Sequence, residues 1–148
     1  MLYRNAGKYY DPTAGKALSK VMKEHQQAER EKWQRLFEFK HRPKVYVVSR
    51  YAGDVEANTA AAVHYCRYVI EKRCIPVASH LLYPQMLNDN DTAERELGLM
   101  FGLALLTICD EVWCFGVEQS PGMVQEIKEA KRLNKRVRFF TTRMEEII

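Results

Sequence analysis

No run of apolar residues in this chain is long enough to cross a bilayer. The longest, Leu97 to Cys109, is broken by glycine and falls short of the roughly 20 residues a spanning helix needs. The opening stretch MLYRNAGKYYDPTAG has no apolar signal core, so export is not expected. Cysteine is scarce: Cys66, Cys74, Cys109 and Cys114 form no CxxC and no cysteine–histidine spacing suited to zinc. Free thiols in a reducing cytoplasm are expected, with no metal site and no cofactor. Neither a GxGxxG fingerprint nor a P-loop is present. The net charge of +4 is compatible with a small anionic ligand but makes no case for nucleic acid.

What is present fits a globular chain, with 47% hydrophobic and 28% charged residues over 148 positions. That length buries roughly two-thirds of the unfolded surface in a single domain. Two compositional zones divide it. Residues 1–42 are polar and charge-rich, and residues 43–148 alternate apolar runs with amphipathic stretches. In the first zone Asp11 as cap and Pro12 at the first helical position predict a helix from Pro12 to Phe39. Leu18, Val21, Met22, Trp33, Leu36 and Phe37 mark a stripe interrupted by a polar gap, His25 to Lys32. This helix is a docking arm, a dimer-forming helix or a solvated extension.

From Lys44 the pattern becomes strand, helix, strand, helix. KVYVVS reads as the first strand, followed by a helix capped by Asp54 with Ala61, Tyr65, Tyr68 and Val69 inward. CIPVAS is the second strand, and residues 92–107 the next helix. EVWCFG is the third strand, residues 121–134 a helix, and RVRFFT the closing strand. The alternation predicts a small Rossmann-like (flavodoxin-like) α/β fold, a parallel sheet with helices on both faces. Right-handed crossovers bring the strands' C-terminal ends to one edge, where open sheets bind ligands. SRYAGD (49–54), SHLLYPQ (79–85) and GVEQSPGM (116–123) occupy that edge.

Within SPGMVQEI, Ser120 caps a helix, Pro121 suits its first position and Glu126 lies in the second turn, leaning back over Gly122. Glycine there leaves room for a ligand beside the carboxylate, which the helix start helps keep ionised. Glu129 and Ala130, three and four residues on, offer no basic partner. Glu126 is therefore either a site residue or ordinary surface charge. In SRYAGD, Ser49, Arg50 and a turn through Gly53 bring a hydroxyl, a guanidinium and backbone N–H groups to the next helix start, a setting for anions or for a plain surface turn. His80 and Tyr83 share the edge, where an aromatic can stack on a base. Asp89 and Asp91 read as turn and cap residues. Gly98 and Gly102 lie on an almost wholly apolar helix, which is either deeply buried or a subunit interface. Glu94, Arg95 and Glu96 at its start place charge near the edge or at the surface.

VYVVSRYAGD followed by SPGMVQEIKEAKRLNKRV resembles the nucleoside 2-deoxyribosyltransferase-like superfamily, which includes deoxynucleoside monophosphate N-glycosidases and bacterial and phage-borne domains. The likeness covers residues 44–142 and falls on Ser120, Gly122, Glu126, Ile127, Ala130, Asn134 and Lys135. It implies a glutamate nucleophile, Glu126, attacking the anomeric carbon of a deoxyribosyl group, with Tyr51 orienting sugar or nucleophile. Ser49, Arg50, Gly53, Asp54, His80, Ser120 and Gly122 would surround the substrate. The acidic partner corresponds at best to Glu96 after Arg95, and the tail TTRMEEII has no counterpart in the family's site-completing chain end.

The expected function is a nucleoside or nucleotide N-glycosidase or deoxyribosyltransferase, cytoplasmic, with a homodimer or higher oligomer formed through Leu97–Ile108 or the N-terminal helix. The competing expectation is a nucleotide-binding or sensing module without turnover, of phage or mobile-element origin. A third is an interaction protein working through the N-terminal helix. The sequence names neither base nor sugar, nor a need for a 5′-phosphate.

Overall fold

The computed structural model describes residues 11–148. The chain divides into two compact units between His41 and Arg42; residues 1–10 of the expected N-terminal extension lie outside the described residues.

Among the described residues, the first unit is formed by helix α1, Pro12–Lys40. Its start is built as the sequence predicts: the Asp11 carboxylate accepts the N–H groups of Thr13 and Ala14, each at 3.0 Å, and Pro12 opens the helix. The polar gap does not break it, since Gln, Ala, Glu and Arg are good helix formers and Gln27 bonds Glu31 one turn on. No residue of α1 is buried, so the apolar stripe is exposed.

The second unit is a five-stranded sheet with helices on both faces. In chain order it comprises β1 (Lys44–Val48), α2 (Val55–Glu71), β2 (Ile75–Val77), α3 (Thr92–Thr107), β3 (Glu111–Phe115), α4 (Pro121–Arg132), β4 (Arg136–Phe140) and β5 (Glu146–Ile147). Two 3-10 turns, Ser79–Leu81 and Tyr83–Gln85, connect β2 to α3. The strand order is β2-β1-β3-β4-β5, and the first four strands are parallel.

One correction concerns the sheet's end. The expected last strand is β4, but the chain turns back through Met144 and adds β5 antiparallel to it. Arg138 fixes that return, donating to both carboxylate oxygens of Glu146 at 2.8 and 2.7 Å. Two residues are too few to show a strand period in sequence.

Alternation along the strands sorts the core into two layers. Val45, Val47, Trp113 and Phe115 meet Tyr65 and Val69 of α2 on one face. Tyr46, Val48, Val112 and Cys114 meet Leu106 of α3 and Met123, Ile127 and Ala130 of α4 on the other. In α2 the buried positions are Ala62, Tyr65 and Val69, while Ala61 and Tyr68 are only half-buried. Deep burial of α3 is excluded within this unit. Only Gly102 and Leu106 are buried, and Leu97, Met100, Phe101 and Ile108 are exposed.

Candidate active site

Helix α4 begins where Ser120 Oγ accepts the Met123 N–H at 3.4 Å and Pro121 takes the first position. Its inward face recurs at Met123, Glu126, Ile127 and Ala130, the three-and-four spacing of a helix lying on a sheet. Helical periodicity thus carries a carboxylate into the core, and Glu126 is only 2% exposed. It is not the surface charge that its type suggests.

A buried carboxylate needs partners. Tyr46, from the middle of β1 and fully buried, donates its hydroxyl to Glu126 Oε1 at 2.8 Å. The same hydroxyl lies 2.8 Å from Ser79 Oγ, in the turn after β2. Burial first, and then the charge of Glu126, push the Tyr46 phenol well above its ordinary pKa. Tyr46 therefore stays protonated and remains a donor. His80 Nε2 stands 3.7 Å from the same Oε1. The other oxygen, Oε2, is buried and has no hydrogen-bond partner among the described residues.

Glu126 forms part of the wall of a cleft of about 440 Å³ at the C-terminal edge of the sheet. Tyr51 borders it from the loop after β1, and Ser120 and Gly122 from the start of α4. The Tyr51 ring stacks on His80, with centroids 5.2 Å apart and planes at 27°. A Cβ built on Gly122 would meet nothing within 4 Å, so this glycine faces open space. Glu94, Arg95 and Glu96 line the side formed by α3. Glu94 accepts the Asn88 N–H at 3.2 Å, and Glu96 is exposed. Asp91 caps α3 through Ala93 and Glu94.

Ser49 and Arg50 do not join this cleft. They line a second hollow of about 360 Å³ on the α2 side, with Tyr65, Phe115 and Thr142. Ser49 is buried, and the Arg50 guanidinium reaches Glu118 at 3.8 Å, both exposed. The convergence expected of SRYAGD is divided because β1 ends between the two hollows: residues 49 and 50 serve one, and Tyr51 and Ala52 the other. Gly53 makes the turn at φ +101°, and the Asp54 side chain accepts the Ala57 N–H at 3.1 Å as the cap of α2. Neither lines a hollow.

Three residues escaped the sequence reading. Tyr46 sits in an apolar run and reads as core. The available signal was a phenol in a strand buried on both faces, since a buried phenol hydroxyl needs a partner. Ser79 gives no such signal. Asn58 holds the β1 loop, donating to the carbonyls of Tyr51 and Ala52 at 3.0 and 3.1 Å. Among the described residues, no three His, Cys, Asp or Glu side chains gather as a metal site, and no helix is long and apolar enough to cross a membrane.

This architecture is similar to solved enzyme structures. Against the 2-deoxyribosyltransferase of the psychrotolerant bacterium Bacillus psychrosaccharolyticus the TM-score is 0.57 at 15% identity, covering 71% of this chain and 76% of that one. The fold is therefore nucleoside 2-deoxyribosyltransferase-like. The 2-deoxyribosyltransferase of Leishmania mexicana gives 0.48 at 14% identity, covering 67% and 64%. The CMP N-glycosidase of Clostridium botulinum gives 0.43 at 18%, covering 66% and 71%. No curated protein matches the chain by sequence. The sequence profile of one family matches residues 43–140, and by that match the chain belongs to the family described as a domain of unknown function, DUF7768.

Proposed function

We propose that the second unit is a nucleoside-processing enzyme, an N-glycosidase or deoxyribosyltransferase, with Glu126 as nucleophile. One observation carries this reading: on the wall of a cleft, a buried carboxylate has one oxygen fixed by Tyr46 and the other, Oε2, without a hydrogen-bond partner among the described residues. Oε2 attacks the anomeric carbon as its bond to the base nitrogen breaks. The electron pair leaves with the base, which takes up a proton. Water, or a second base, then opens the glycosyl ester and frees Glu126.

Tyr51 and His80 form an aromatic wall for the substrate, and Gly122 leaves the approach to Glu126 open. Glu96, at the start of α3, supplies the acidic partner. Ser49 and Arg50 engage a substrate's polar end through the second hollow, while Gly53 and Asp54 act by shaping the loop. The four free cysteines suit a reducing cytoplasm. The exposed Met100 and Phe101 of α3 with Ile108 just beyond it, or α1, provide the contact between copies of an oligomer.

The test incubates wild type and Glu126→Ala with ribo- and deoxynucleosides and their 5′-monophosphates and measures released base. Wild type is expected to release base from at least one substrate, and Glu126→Ala about a thousandfold more slowly. Mass spectrometry of the quenched wild type should show one added sugar on the peptide holding Glu126. Thermal stabilisation by nucleotides with no base released would instead identify a binding module. Equal rates for wild type and Glu126→Ala would sink the nucleophile.

A further inference from the structure

Gly102 lies where the hydrogen bond between Tyr46 and Glu126 is supported from behind. A Cβ built on it would stand 3.0 Å from the Tyr46 hydroxyl oxygen, 3.1 Å from Ser79 Oγ and 3.3 Å from Ser79 Cβ. Those separations are tighter than ordinary van der Waals contact, so the hydroxyl pair would have to withdraw. Gly102 is inside α3 and its φ is not positive, so alanine would be the better helix former there. The spacing Gly98–Gly102 does not explain it either, because a Cβ on Gly98 would meet only Leu87, at an ordinary 3.5 Å.

The hydrogen bonds have a direction. A phenol carries one proton, and Tyr46 gives its proton to Glu126 Oε1. At the 2.8 Å contact with Ser79, the phenolic oxygen must then accept and the serine hydroxyl donate. The order is Ser79 to Tyr46 to Glu126, and each donation strengthens the next. Ser79 is itself buried, on the wall of the same cleft as Glu126.

We propose that Gly102 and Ser79 are positioning residues for Glu126. Ser79 sets the direction of the Tyr46 hydroxyl, and the missing side chain at Gly102 leaves the space that the pair of hydroxyls occupies. Together they keep Oε1 engaged, while Oε2 has no hydrogen-bond partner among the described residues. The inference rests on the reading of Glu126 as nucleophile, but its physical core, the coupling of positions 79 and 102 to Tyr46, can be measured without turnover.

The protein is labelled with 3-fluorotyrosine, and the Tyr46 fluorine resonance is identified by its loss in Tyr46→Phe. That resonance is expected to shift in Glu126→Gln, in Ser79→Ala and in Gly102→Ala, and to stay in place in Gly98→Ala. On a substrate that wild type cleaves, Ser79→Ala and Gly102→Ala should lower kcat by about ten- to a hundredfold, the scale of a small misplacement of a reacting group, with KM within about twofold. A Tyr46 resonance unmoved by either substitution overturns the proposal, as does a loss seen in KM with kcat unchanged. Should Gly102→Ala fail to fold, Ser79→Ala decides. If the resonance shifts but wild type cleaves nothing in the panel, the positioning stands and the enzymatic reading falls.

Discussion

The Tyr51 ring lies flat against His80, and that imidazole in turn stands 3.7 Å from Glu126. The loop after β1 is thereby tied to the carboxylate through a single aromatic contact. Stacked aromatic pairs contribute about 0.5–1.5 kcal/mol beyond area burial, so Tyr51→Ala should lower kcat/KM by up to about tenfold. The contact uses the ring, so Tyr51→Phe should remain within about threefold of wild type. Steady-state kinetics on both variants test this. A large kcat loss in Tyr51→Phe would assign the work to the hydroxyl instead.

Tyr46→Phe removes the donor to a buried carboxylate. Leaving such an acceptor unsatisfied costs about 1–3 kcal/mol or more, so the urea midpoint should fall. Glu126→Gln, which keeps an acceptor for Tyr46, should cost less than Tyr46→Phe. The reverse order would mean that the bond between Tyr46 and Glu126 contributes little to stability.

Gly122→Ala should separate stability from activity. The new methyl would meet nothing in the protein, and alanine is favoured over glycine in helices by about 0.5–1 kcal/mol. A rise in melting temperature is expected together with a several-fold rise in KM, because the methyl enters the space beside Glu126. If KM is unchanged, substrate does not approach on that side.

Burial holds the thiols of Cys66, Cys109 and Cys114 up from 9.0 to about 11. A raised folded-state value means that their contribution to stability is complete below about pH 9 and fades as pH rises toward 11. Denaturation midpoints measured between those pH values should fall steadily. In the native protein at neutral pH, Cys109 and Cys114 should react with a thiol reagent only after unfolding, since both are fully buried. Rapid native labelling of either would contradict the packing of the sheet.

Local signals in this sequence were strong and short-ranged. Asp11, Asp91 and Ser120 announced helix starts, and the β-branched run of β1 announced a strand, because capping and strand preference are decided within a few residues. The site demanded more. Whether Glu126 is buried depends on which face of α4 meets the sheet, and its partner Tyr46 is 80 positions away in sequence. A tyrosine among valines looks like core filler until the opposing side chain is known. Ser49, Arg50 and Tyr51 are contiguous in sequence and so were read as one group. They diverge because β1 ends between two hollows, with Ser49 and Arg50 lining one and Tyr51 the other.

The sheet itself ends in an unreceptive edge on each side. At one margin stands β2, three residues long with Pro76, which lacks an N–H, at its centre; at the other stands the two-residue β5, pinned by Arg138 and Glu146. Short or proline-bearing margins offer no template on which a further strand can grow. Fibril-like, edge-to-edge addition of chains is thus disfavoured by construction, and association with another molecule falls to the helical faces.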